Sequence, residues 1–85
     1  MTTFTDKETE ILDIVTKLCT RDYSAGIDDI LEMTNMTLPT VRGVLGTLTQ
    51  KGRIYTESDF RDGRKFDDIF ALTEDGGVIS YGETV

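Results

Sequence analysis

The chain has 85 residues, 16 acidic and nine basic, with one cysteine, no histidine and a net charge of −7. That length makes one domain with a small core, and the missing histidine and solitary Cys19 exclude Ser–His and Cys–His catalytic pairs, His-ligated metals and Cys-rich zinc sites. The acidity also excludes a protein that coats nucleic acid indiscriminately, because phosphate neutralisation needs a broad basic surface.

A capping-box spacing, Thr5 followed by Glu8, opens a first helix expected over residues 6–21. Phe4 is placed to staple back onto its first turn. Ile11, Ile14, Val15 and Leu18 recur at helical spacing, with Leu12 and Cys19 widening the stripe. Core packing explains that stripe, and its width also leaves room for a second subunit. Cys19 reads as a small core residue, and a free thiol suits a reducing cytoplasm. Polar and small residues over 22–26 break the helix, and 25–27 has room for a very short strand. A second helix is expected over 28–34, with Asp28 or Asp29 near its cap and Ile30, Leu31 and Met33 as its apolar content.

Asn35 and Met36 then make a turn. Thr37 is a good N-cap for a third helix, and Pro39 in its first turn gives up an N–H that has no intrahelical partner. Val41, Val44, Leu45 and Leu48 set its core face, and Lys51–Gly52 stops it. Strands are expected over 53–58 and 66–72, with Ile54, Phe66, either Ile69 or Phe70, and Leu72 turned inward. The connection between them, DFRDGRK, contains Asp62–Gly63, the strongest hairpin signal in the chain. Residues 73–76 read as a capped single turn that ends the domain. The tail, 77–85, is too short for a full helix, and in it Val78, Ile79 and Tyr81 either add a strand or fray.

No apolar run approaches the roughly 20 residues that span a bilayer, and MTTFTDKETE lacks the features of a secretory signal. No strand leads into a GxxxxGK loop. The carboxylates Asp28, Asp29, Glu32, Asp67 and Asp68 match no calcium-loop spacing and read as solvated surface. No metal, cofactor or enzymatic activity is expected.

Helix, short strand, helix, turn, helix and two-stranded wing, in that order, resemble the winged helix-turn-helix superfamily. TLPTVRGVLGTLTQKGRI, DGRK at the wing tip and FALTEDG after the second strand look most like MarR-type regulators. The resemblance covers roughly residues 8–76. It implies an α+β fold of three helices and a hairpin wing, with a role in transcription regulation through duplex DNA. Two features depart from the family. MarR-type proteins dimerise through long helices at both ends, and this chain leaves no space for the second. A homodimer would therefore use the first helix or the tail. The recognition helix also carries Gly43 and Gly46, each costing about 1 kcal/mol relative to alanine. Close approach to another backbone, either the second helix or a partner, would account for them.

On this reading the third helix enters the major groove, where Arg42 can bond guanine in bidentate fashion, supported by Thr40, Thr47 and Gln50. Thr37 and the helix N-terminus can hold a phosphate. Arg61, Arg64 and Lys65 have the reach for an adjacent minor groove or backbone, with Lys51 and Arg53 at the edge. The same wing charges also serve simply to keep an exposed hairpin soluble. Charge segregation favours DNA: residues 38–66 hold six basic and three acidic groups, net +3, against 3 and 13, net −10, elsewhere. The alternative is a winged-helix module that has lost DNA and meets a basic protein partner, or mimics nucleic acid, through its acidic surface. A cytoplasm of high salt is a third source of such acidity.

Overall fold

The computed structural model describes residues 3–79. The chain forms α1 (Asp6–Asp22), α2 (Ile27–Met33), α3 (Leu38–Gln50), β1 (Ile54–Arg61) and β2 (Arg64–Ala71), so the expected α+β order is the observed one. β1 and β2 pair antiparallel, and α1 packs against α3 on one side and β2 on the other.

The capping box closes as expected. Thr5 Oγ1 accepts the Glu8 N–H at 3.1 Å, and Glu8 Oε1 accepts the Thr5 N–H at 2.8 Å. α1 buries Ile11, Ile14, Val15, Leu18 and Cys19, and half-buried Leu12 packs onto the same core. A dimer through α1 would therefore have only its polar face to use. The helix stops at Tyr23, whose φ of 80° lies in the left-handed region. A side chain there costs roughly 1–2 kcal/mol, offset by the edge-to-face contact of its ring with Phe70 at 5.4 Å.

The short strand contracts to one residue. Ala25 exchanges both backbone hydrogen bonds with Ile69, at 2.8 and 2.9 Å. α2 starts earlier than expected, at Ile27, with Gly26 in the cap position and Asp28 and Asp29 in the first turn. Cys19 is a core residue with a further task, since its thiol donates to Ile69 O and accepts from the Ala71 N–H, both at 3.4 Å. Burial pushes that thiol's pKa up. Ala25 and Cys19 together satisfy the inner part of β2's outer edge.

Val41, Val44 and Leu48 anchor α3 in the core, and Gly52, at φ 74°, turns the chain into β1. The hairpin is longer than expected. Asp62 and Gly63, at φ 54° and 74°, form a two-residue turn of the I′ kind. Its twist matches that of the strands, so pairing continues to Arg61↔Arg64, and most of the presumed loop DFRDGRK is strand.

Register then corrects one inward residue. The buried pair Ile54↔Ala71 puts Thr56, Ser58, Phe60, Lys65, Asp67 and Ile69 on one face, by alternation along each strand. Tyr55, Glu57, Asp59, Arg61, Arg64, Phe66, Asp68 and Phe70 share the other. Phe66 thus falls beyond the core and is 39% exposed, while Ile69 and Phe70 are both buried on opposite faces. Leu72 is half-buried and makes a single bridge with Val78. Ile79 is buried and its N–H donates to Ala71 O at 2.9 Å, so the start of the tail belongs to the core. Tyr81 lies outside the described residues.

Glu8 is the buried charged side chain among the described residues, at 3% exposure. Lys51 Nζ meets its Oε1 at 2.7 Å and Thr47 Oγ1 donates to its Oε2 at 2.7 Å, fastening the start of α1 to the end of α3. Lys51 also donates to Thr3 O at 2.7 Å. The Lys51 ammonium, followed by the Thr5 N–H and the Thr47 hydroxyl, lowers the Glu8 pKa from 4.5 to about 2. A depressed carboxylate contributes stability that is present above its unfolded pKa and lost as pH falls through the folded one. The denaturant midpoint should hold steady down to about pH 5, then decline between 4.5 and about 2. Glu8→Gln should flatten that decline, leaving the part due to other carboxylates, in a urea series read by circular dichroism.

Candidate nucleic-acid interface

The α3 candidates divide between two grooves. Exposed Arg42 shares a shallow groove with Ile27, Leu45, Thr56, Asp67 and Ile69, bounded by α3, the start of α2 and one face of the hairpin. It forms no ion pair within 4.0 Å among the described residues. Thr40 and Thr47 instead line a groove on the α1 side, with Thr5, Lys7, Pro39 and Gly43. The Thr47 hydroxyl is committed to Glu8 and, at 2.9 Å, to Val44 O. It has no free proton to offer a base edge, whatever its exposure. Gln50 is exposed in the last turn of α3. Thr37 holds the N-cap position by backbone conformation alone: its side chain caps no amide, and its hydroxyl lies 3.0 Å from that of Thr40. The first-turn amides of α3 consequently have no side-chain cap.

The hairpin cations divide as well. Lys65 lies on the face that walls the Arg42 groove, whereas Arg61 and Arg64 lie on the opposite face. Arg61 is 3.7 Å from Asp59 and 3.8 Å from Asp68, and its guanidinium stacks 4.6 Å from the Phe66 ring centre. Arg64 approaches the same ring at 6.0 Å. Of the edge cations, Lys51 pairs with Glu8. Arg53 bonds Leu72 O at 3.1 Å and stands over Phe4 at 5.3 Å. The six basic residues of 38–66 therefore leave three, Arg42, Arg64 and Lys65, without a carboxylate or carbonyl partner among the described residues.

Register also adds two negative charges that the segment count omitted. Asp67 and Asp68 belong to β2, so the hairpin carries Glu57, Asp59, Asp62, Asp67 and Asp68 against Arg61, Arg64 and Lys65. Asp67 faces the Arg42 groove and accepts from Ser58 Oγ at 2.7 Å.

Two features escaped the reading of the sequence. Phe60, assigned to the loop, is a strand residue 71% exposed on the Lys65 face. Alternation counted forward from Ile54 would have found it. Tyr23 and Tyr55 flank Phe70, Tyr55 stacking on it at 6.2 Å, and no local periodicity announces that group. Among the described residues no three His, Cys, Asp or Glu side chains gather as a metal site, and no helix is long and apolar enough to cross a membrane. No family model, curated protein or solved structure matches the chain.

Proposed function

We propose that the chain is a small winged helix-turn-helix regulator of the MarR-like kind that binds duplex DNA, with α3 as recognition helix and the hairpin as wing. The observation that carries this reading is the position of Arg42 and Lys65. Both are exposed, both lack an acidic partner among the described residues, and both belong to the side of the molecule where α3 and the hairpin border one groove. A guanidinium on an exposed helix face suits a guanine edge, and an ammonium on a projecting arm suits a phosphate. Gln50 supports the helix contact. The uncapped amides of α3 support the backbone contact, with Thr37 and Thr40 marking that end, while Arg64, beside the turn on the other face, would meet only a flanking phosphate. Arg61 and Thr47 serve the domain's own structure first.

A second reading, a protein-interaction module, is favoured by a different observation. Half the cations of residues 38–66 are used internally, and a Cβ added at Gly43 or Gly46 would meet no atom within 4 Å. The second helix is thus not what those glycines accommodate, and α3 presents bare backbone to whatever partner it meets.

An amide chemical-shift titration with a short mixed-sequence duplex separates the two. DNA binding should shift residues 37–50 and 59–66 at low salt and fade as salt rises. No shift at low salt would discard the DNA reading and leave a basic protein partner for the acidic surface.

A further inference from the structure

We infer that Phe60 is an intercalating wedge that unstacks a base step when the hairpin lies along DNA, an inference that rests on the DNA-binding reading. Its sister aromatic sets the contrast. Phe66, at the next pair down the hairpin, has Arg61 over its ring at 4.6 Å and Arg64 at 6.0 Å. Phe60 has neither a cation nor an aromatic ring on it, and at 71% it is the most exposed large hydrophobic side chain among the described residues. Burying such a ring is worth about 1.5–3 kcal/mol, so this fold leaves that gain to something outside itself.

Its placement selects the partner. Phe60 is one pair from the turn, directly opposite Lys65, on the face that also walls the Arg42 groove. From Glu57↔Asp68 to Arg61↔Arg64 the arm carries five cross-strand pairs and is exposed apart from half-buried Asp68. At about 3.4 Å per residue it projects some 14 Å beyond the core, enough to cross a phosphate backbone. An apolar side chain beside a cation at the end of a narrow arm is the chemistry that opens a base step, the ammonium holding a phosphate while the ring replaces a stacked base. A protein groove would accept the ring equally, but gives no role to the Arg42 side chain on the same face. Asp62 opposes the approach with one charge at the tip, and Asp67, two residues after Lys65 on the same face, with another. The φ of 54° at Asp62 is what the two-residue turn requires, and aspartate tolerates that conformation.

The test uses the full chain and duplexes carrying 2-aminopurine at TA and CA steps, which unstack most easily, with binding followed separately by anisotropy of an end label. The wild-type protein should raise 2-aminopurine fluorescence severalfold at saturation. Phe60→Ala should bind about five- to 150-fold more weakly, the loss of one aromatic–base stack, and give no rise even when saturated. Phe60→Leu, still a wedge, should retain part of the rise. Binding with no rise at any step, or an equal rise with Phe60→Ala, overturns the wedge and leaves the DNA reading standing. An anisotropy that does not change overturns both.

Discussion

Replacing both Gly43 and Gly46 by alanine should raise stability by about 2 kcal/mol, close to 1 kcal/mol at each helix-interior position. For a domain of this size that corresponds to roughly 8–16 °C in the thermal midpoint. Neither glycine has a positive φ, and a methyl group at either meets no atom of the chain within 4 Å, so the helical backbone accepts alanine without strain. The gain comes from the unfolded chain, which loses freedom when glycine is replaced. A midpoint that stays put or falls would mean that α3 is not a regular helix there in solution. The same variant tests the face. Gly43 lines the α1-side groove with Pro39, and Gly46 is exposed one turn after Arg42, so a partner seated on this part of α3 would meet two new methyl groups. Duplex affinity should therefore fall while stability rises. An affinity that is unchanged would place the DNA against Arg42 and the hairpin alone.

That pair of glycines also shows where reading the sequence stops. Local chemistry was legible wherever one residue type has one inexpensive conformation. Thr5 and Glu8 closed their box, Pro39 sat in a first turn, Gly52 and Gly63 took the positive φ that side chains avoid, and Asp62 shared the turn. The core faces of α1 and α3 followed from a period of 3.6. Where packing overrules local preference, local sequence no longer decides the structure. α1 ends on a left-handed Tyr23, a position where glycine would be expected, because its ring gains Phe70, forty-seven residues later in the chain, as a neighbour. Phe66 looked like core because it is aromatic within an apolar strand, but register carries it past the edge of the helices.

The candidate site was less legible than the fold, and the reason is electrostatic. Counting charges along a segment treats every cation as free, whereas long-range contacts decide which are. Lys51 is held by Glu8, forty-three residues earlier, and Arg61 by Asp59 and Asp68. A boundary drawn at Phe66 also separated Asp67 and Asp68 from the strand that carries them. Alternation alone puts Lys65 and Arg64, adjacent in sequence, on opposite faces of the hairpin, and only the register shows that Lys65 is the one on the Arg42 side.

Arg42→Ala combined with Lys65→Ala should reduce duplex affinity by about 30- to 1,000-fold at low salt, the sum of a lost guanidinium–guanine contact of about 1–3 kcal/mol and a lost phosphate contact. The slope of log K against log salt should fall by about 0.9 for each phosphate contact removed. Neither side chain is buried and neither holds an ion pair among the described residues, so the unfolding midpoint should not move. Asp67→Asn supplies the opposite sign. Its carboxylate sits in the Arg42 groove, on the Lys65 face, where it repels any phosphate that those two cations attract. Asparagine keeps an acceptor for Ser58 Oγ and removes the charge, so duplex binding should tighten severalfold. A general loss of positive charge would account for the first result alone. A weaker double variant together with a tighter Asp67→Asn requires the phosphates to lie along this groove, because a duplex docked on the Arg61 and Arg64 face would respond little to either change.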